Sequence, residues 1–167
     1  PLITPALISW LASTSSPRAA TSVASSVAAS RRVWTPSVAR VFGCRIAADG
    51  REVTVFLSAA RSAAVLRDLR AGAPLAVVFS RPQTHETRQL KAASARIEPL
   101  APGDLELIRA YGDAFVAECV PLGYAAAFIR GFFVGIEADA VAVSFALTAM
   151  FEQTPGPDAG KRMGGRP

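Results

Sequence analysis

Ser58, Arg61 and Ser62 stand where a strand-like run gives way to a helix-like one, in the segment SAARSAAVLRDLRAG. Hydroxyls and a guanidinium at the head of a helix suit a phosphate. The first turn leaves backbone N–H groups unpaired and partly positive, and arginine presents a planar fork to phosphate oxygens. The same serines suit a structural role, because serine at a helix N-cap accepts a bond from the helix's own N–H groups. The two readings are compatible. Further on, Gln89 and Lys91 alternate with Arg88 and Leu90, so the pair shares one face of a strand. A glutamine amide there can bond the edge of a flat heterocycle; a solvated strand face accounts for the pair equally.

Other candidates carry less chemistry. His85 lies in the polar turn RPQTHE with no partner acid or nucleophile in view, and general-base work needs a positioned partner. Trp10 and Trp34 suit ligand stacking or core anchoring. Cys44, Cys119 and a single histidine have no metal-ligand spacing and no disulfide framework. The sequence has no Gly-rich phosphate loop, nucleophile elbow or paired-carboxylate pattern.

These residues must be positioned by one domain. The 167 residues are enough for a single substantial core, and 51% hydrophobic against 19% charged residues is a globular composition. The net charge of +5 comes from 16 arginines and 2 lysines spread along the chain. Without basic runs interleaved with aromatics, the charge argues against a nucleic-acid partner. The most apolar stretch, 132–151, is broken by Glu137 and Asp139, so no membrane span is expected. No basic-then-apolar leader opens the sequence, and a cytoplasmic location is expected.

Along the chain, residues 1–21 read as an N-terminal arm in which Leu7, Ile8 and Leu11 make one helical turn. Residues 22–152 read as the domain. Strands are expected over 22–29, 38–47, 52–57, 74–80 and 87–98, with a hairpin at Asp49-Gly50, where both residues tolerate positive φ. The run 74–80 is apolar throughout, as in a central strand covered on both faces. A short helix follows Ser62 with Val65, Leu66 and Leu69 on one face. A second starts after Pro102-Gly103-Asp104 and carries Leu105, Ile108, Phe115 and Cys119. In 141–151, Val141, Val143, Phe145, Leu147 and Phe151 share one parity, the period of a sixth, long strand. Residues 153–167 form a Pro/Gly-rich tail. The class is α+β, mainly β: an antiparallel six-stranded barrel with flanking helices.

The order of elements from Ser58 to Lys91, with the strands on either side, resembles the flavin mononucleotide (FMN)-binding split barrels of the pyridoxamine 5′-phosphate oxidase-like family. The likeness covers 22–98 and extends weakly into the last strand. It implies a split barrel, FMN as cofactor, a small redox substrate, and a homodimer with the cofactor at the subunit interface. Carried over by residue, it implies that the strand around Arg40 lines the flavin and that Phe56 and Ser58 meet its ring or ribityl chain. Arg61 and Ser62 fall in the phosphate segment, while Gln89, with Lys91 beside it, contacts the ring. In such a site the flavin carries the redox chemistry, and no side chain need act as acid or base.

Two departures qualify the resemblance. Family members often carry Arg or Lys after the serine, where this chain has Ala63 and Ala64. A lost charge-assisted contact weakens phosphate binding by about one to two decades. The C-terminus also lacks the Arg-x-His pattern of the vitamin B6 enzyme. The sequence therefore points to an FMN-binding oxidoreductase other than the B6 oxidase. The alternative is a non-enzymatic relative that kept the fold, lost FMN, and binds or senses another ligand.

Overall fold

A computed structural model of the chain describes residues 23–29, 36–48 and 50–164. The N-terminal arm, most of the turn at 30–36, Trp10, Trp34 and Asp49 lie outside the described residues.

Two antiparallel sheets hold the fold. The larger has the order β10-β9-β6-β5-β1-β2 and the smaller β3-β4-β8-β7. Their strands are β1 (Val23–Ala29), β2 (Pro36–Arg40), β3 (Cys44–Ile46), β4 (Glu52–Ser58), β5 (Leu75–Ser80), β6 (Thr87–Ala92), β7 (Arg96–Glu98), β8 (Ala140–Ala146), β9 (Ala149–Glu152) and β10 (Arg162–Met163). The helices are α1 (Ala63–Arg70), α2 (Asp104–Cys119), α3 (Ala126–Gly131) and α4 (Ile136–Asp139), with a 3-10 turn at Val120–Leu122.

The sequence reading gives six strands; the described residues contain ten. Three of the expected strands are each broken in two by a bend, and a short one, β10, forms in the tail beside β9. Each bend hands the chain from one sheet to the other. β2 passes to β3 through Gly43, whose φ is +120°. β6 passes to β7, and β8 to β9, at neighbouring points, where Thr148 N–H donates to the Lys91 carbonyl at 2.8 Å. The β8–β9 bend also resets parity. Val143 and Phe145 point into the core before it and Met150 does so after it, so Phe151 lies on the opposite face from Phe145.

Three apolar clusters follow from this layout. The main core lies between the sheets and is closed by Val65, Leu66 and Leu69 of α1, spaced to face one way. Ser37 Oγ donates to the buried Asp68 carboxylate at 2.7 Å, pinning β2 to α1. The second cluster is Phe42, Phe56, Ile108, Ile136 and Ala142, where α2 covers the outer side of the smaller sheet. The third, Phe115, Val116, Cys119 and Ile129, joins α2 to α3. Strand β5 is central, between β6 and β1, but its outward residues are only half-buried, so one face of the larger sheet is incompletely covered.

Candidate functional site

That incompletely covered face carries three of the residues singled out in the sequence. Direct cross-strand partners share a face of a sheet, and the register runs Arg40–Ser25–Val78–Gln89–Phe151 across five strands. Arg40 and Gln89 are thus in one row, three strand spacings or about 14 Å apart. Lys91 stands one step along β6, with its Nζ 4.6 Å from the centre of the Phe151 ring. One step the other way, the Ser80 and Thr87 hydroxyls meet at 2.8 Å.

At that end of the face the helical hairpin α2–α3 leans over the sheet and leaves a cleft of about 470 Å³. Its wall is aromatic: Phe115 from α2, Phe128 from α3, and Tyr124 and Phe132 on either side of α3. Its polar groups are Arg40, Arg81, His85, Gln153 and the Ser80–Thr87 hydroxyls, and among the described residues no carboxylate lines it. Volume and lining match the usual small-molecule site, apolar walls with a few placed polar groups.

The Arg40 guanidinium lies 4.5 Å from the Phe132 ring centre and 5.6 Å from that of Phe115. The ring faces attract and hold it. Other arginines pair with acids: Arg45 with Asp104, Arg88 with Glu152, Arg96 with Glu52, Arg109 with Glu137, Arg130 with Asp113 and, of those lining this same cleft, Arg81 with Glu86 at 3.9 Å. Arg40 makes no ion pair with a described carboxylate. A cation held among rings with no described carboxylate beside it has the chemistry to attract an anion.

The β5–β6 turn fixes the mouth of the cleft. Arg81 N–H donates to the Glu86 carbonyl, and His85 N–H donates to that of Arg81, both at 2.9 Å. His85 takes φ +59°, a left-handed conformation that histidine accepts more readily than most residues. The Thr87 hydroxyl donates to its carbonyl at 2.8 Å. Deeper in, burial and then the Glu118 charge push the Cys119 thiol up. It is therefore a protonated wall residue, not a thiolate nucleophile.

The β4–α1 turn does not line this cleft, and the donors of Ser58, Ala60 and Arg61 are already engaged within the chain. Ser58 is 1% exposed and donates to Asp139 Oδ2 at 2.8 Å; Ala60 N–H reaches the same oxygen at 2.8 Å. Ser58 Oγ also accepts Arg61 N–H at 3.2 Å. The Arg61 guanidinium donates to the Phe132 carbonyl at 2.8 Å and the Val134 carbonyl at 2.6 Å. Ser62 occupies the N-cap of α1 without a side-chain capping bond, and its Oγ is buried with no hydrogen-bond partner. Phe56, expected to touch a flavin, is 0% exposed beneath α2.

The Ala60 N–H, then the Ser58 hydroxyl, hold the Asp139 carboxyl below its ordinary range. A carboxyl depressed in the fold and ordinary when unfolded, near about 3.9, stabilises fully above that value. The stabilisation is lost as pH falls through the folded pKa. Asp139→Asn is expected to reduce the drop in stability below about pH 4. An acid limb identical to that of the wild type in urea titrations would place the linkage on other groups.

The sequence reading missed the cleft wall. It carries the second helix as far as Cys119 and has no element over α3, where Phe128 and Phe132 stand one helical turn apart. Arg81 and His85 were visible only as a polar turn. Gln153 and Pro155, assigned to the tail, line the cleft.

No family model matches the chain, and no curated protein does. Solved structures do resemble it. HupZ of Group A Streptococcus is 12% identical, with 83% of this chain and 90% of that one covered at a TM-score of 0.48. An F420 reductase is 17% identical, with 78% and 89% covered at 0.47. A protein of the pyridoxinephosphate oxidase family from Clostridium acetobutylicum, related to general stress protein 26, is 10% identical, with 84% and 85% covered at 0.46. One further structure, 13% identical, covers 96% of this chain and 94% of its own at 0.51. What is shared is the fold. Among the described residues no helix is long and apolar enough to cross a membrane.

Proposed function

We propose that the protein binds a flat aromatic anion in the cleft beneath α2 and α3, with FMN the leading ligand, and that it serves as a small flavin-dependent oxidoreductase. The observation that carries this is Arg40: a guanidinium among the rings of Phe115 and Phe132, without a described carboxylate partner, in a cleft whose described lining has no acid. An aromatic ligand suits the wall, and its negative group suits Arg40 and Arg81. Bound flavin would supply electron or hydride transfer between a reductant and an acceptor. The chain's own residues would bind and orient it: Arg40 and Arg81 as counter-charge, the phenylalanines as a dry wall, and Gln89 as amide partner on the adjoining sheet face. The exposed Val38, with half-buried Val78 and Phe151 on that face, supports a homodimer that covers it.

One observation favours the second reading, a non-enzymatic relative that lost FMN. Of the two residues that the resemblance assigns to phosphate, Arg61 has its guanidinium on backbone carbonyls, and the neighbouring Ser58 and Ala60 donate to Asp139; the Ser62 hydroxyl has no described partner.

The deciding experiment is the absorption spectrum of purified protein with excess FMN, before and after equilibrium dialysis. Retained flavin bands are expected; complete loss at high FMN would remove the flavin reading and leave the second. Gln89→Ala is expected to weaken FMN binding about two- to ten-fold with the fold intact. An unchanged dissociation constant would take Gln89 out of the site.

A further inference from the structure

We infer that this protein holds the anionic end of its ligand at Arg40 in the cleft, because Asp139 occupies the Ser58 hydroxyl and the Ala60 N–H of the β4–α1 turn from within the chain. The inference rests on the proposal that the cleft takes a flat anion, and it names the group that grips it. One Asp139 oxygen receives both the Ser58 hydroxyl and the Ala60 N–H, each at 2.8 Å. Those two donors are closed to a ligand phosphate, because two anions cannot share them without strong repulsion. Ala59 N–H adds a bond to the Asp139 carbonyl at 3.0 Å, so the occupant is tied to the turn by backbone as well. A ligand phosphate would have to break all three contacts.

Arg61 has a different task. Its two terminal nitrogens hold the carbonyls of Phe132 and Val134, while Arg40 lies over the ring of that same Phe132. Arg61 is therefore a positioning residue: it sets the wall against which Arg40 rests and does not meet the ligand. Arg40, by contrast, lines the cleft without a described carboxylate partner.

The test uses 1-naphthyl phosphate and 1-naphthol, a flat aromatic with and without the phosphate, titrated at fixed ionic strength into the folded full chain. The wild type is expected to prefer the phosphate about ten- to hundred-fold. Arg40→Gln should bring that ratio close to one. Ser58→Ala should keep the ratio, and Arg61→Gln should weaken both probes by a similar factor and keep it too. Arg40→Met, which retains the stem between the two rings, serves if the glutamine variant does not fold. A ratio that survives loss of Arg40 but collapses in Ser58→Ala or Arg61→Gln overturns the inference, as does a wild-type ratio of one. If FMN is not retained but naphthyl phosphate is still preferred through Arg40, the flavin reading fails and this inference stands.

Discussion

Replacing Phe56 by alanine is expected to cost about 3–5 kcal/mol of stability, the usual cost of emptying a buried aromatic site. Phe56 is 0% exposed and packs with Phe42, Ile108, Ile136 and Ala142 between the smaller sheet and α2. Its backbone also closes the adjacent bend: Phe42 N–H donates to its carbonyl at 2.8 Å, and its N–H donates to the Gly43 carbonyl at 3.1 Å. A cavity there would loosen α2, which also carries Phe115 into the cleft. The resemblance places Phe56 against flavin; its burial gives it no surface to offer a ligand. Phe56→Leu separates the two roles because it keeps most of the volume. Its urea midpoint should fall while the affinity of the folded variant for FMN stays at the wild-type value. A folded Phe56→Leu protein with affinity lowered ten-fold or more would return Phe56 to the ligand site.

The elements most legible in the sequence are those whose pattern is local. In α1 the face is set by Val65, Leu66 and Leu69, and the strand expected over 52–57 is β4; both elements form where the sequence places them. The bends were not legible. A strand that changes sheets keeps its composition and alters only its partners, as 87–98 does between β6 and β7. Phe151 shows the cost of missing one: its parity with Phe145 was real in the sequence and reversed in space. The site was less legible still. Arg40, Gln89 and Lys91 come to one face because the register aligns β2 with β6 through β1 and β5, strands far apart in sequence. Ser58 and Arg61 carried a plausible phosphate signature. Nothing local in that segment announces that Asp139, 81 residues after Ser58, would bond its hydroxyl.

The bend that turns Arg40 toward the cleft depends on Gly43, and Gly43→Ala should destabilise the fold by about 2–5 kcal/mol through two separable effects. At φ +120° the backbone is in a region L side chains rarely adopt, which costs about 1–3 kcal/mol. An added Cβ would also lie 3.3 Å from both Phe56 Cδ2 and Tyr111 Cβ, with the Leu107 carbonyl at 3.6 Å. The neighbours are core and helix, and cannot easily yield. Gly72, after α1, is the control: its φ is +79° and nothing lies within 4 Å of a Cβ there. Gly72→Ala should therefore show the conformational cost without the crowding, so the difference in urea midpoints measures how closely α2 approaches the bend. Equal losses would mean that α2 is not packed there. The effect reaches the ligand because Arg40 precedes Gly43 by three residues and rests on Phe115 of α2. Pushing α2 off the bend moves the guanidinium and its wall together. The Gly43 variant should then lose phosphate preference with the naphthyl pair, and the Gly72 variant should keep it.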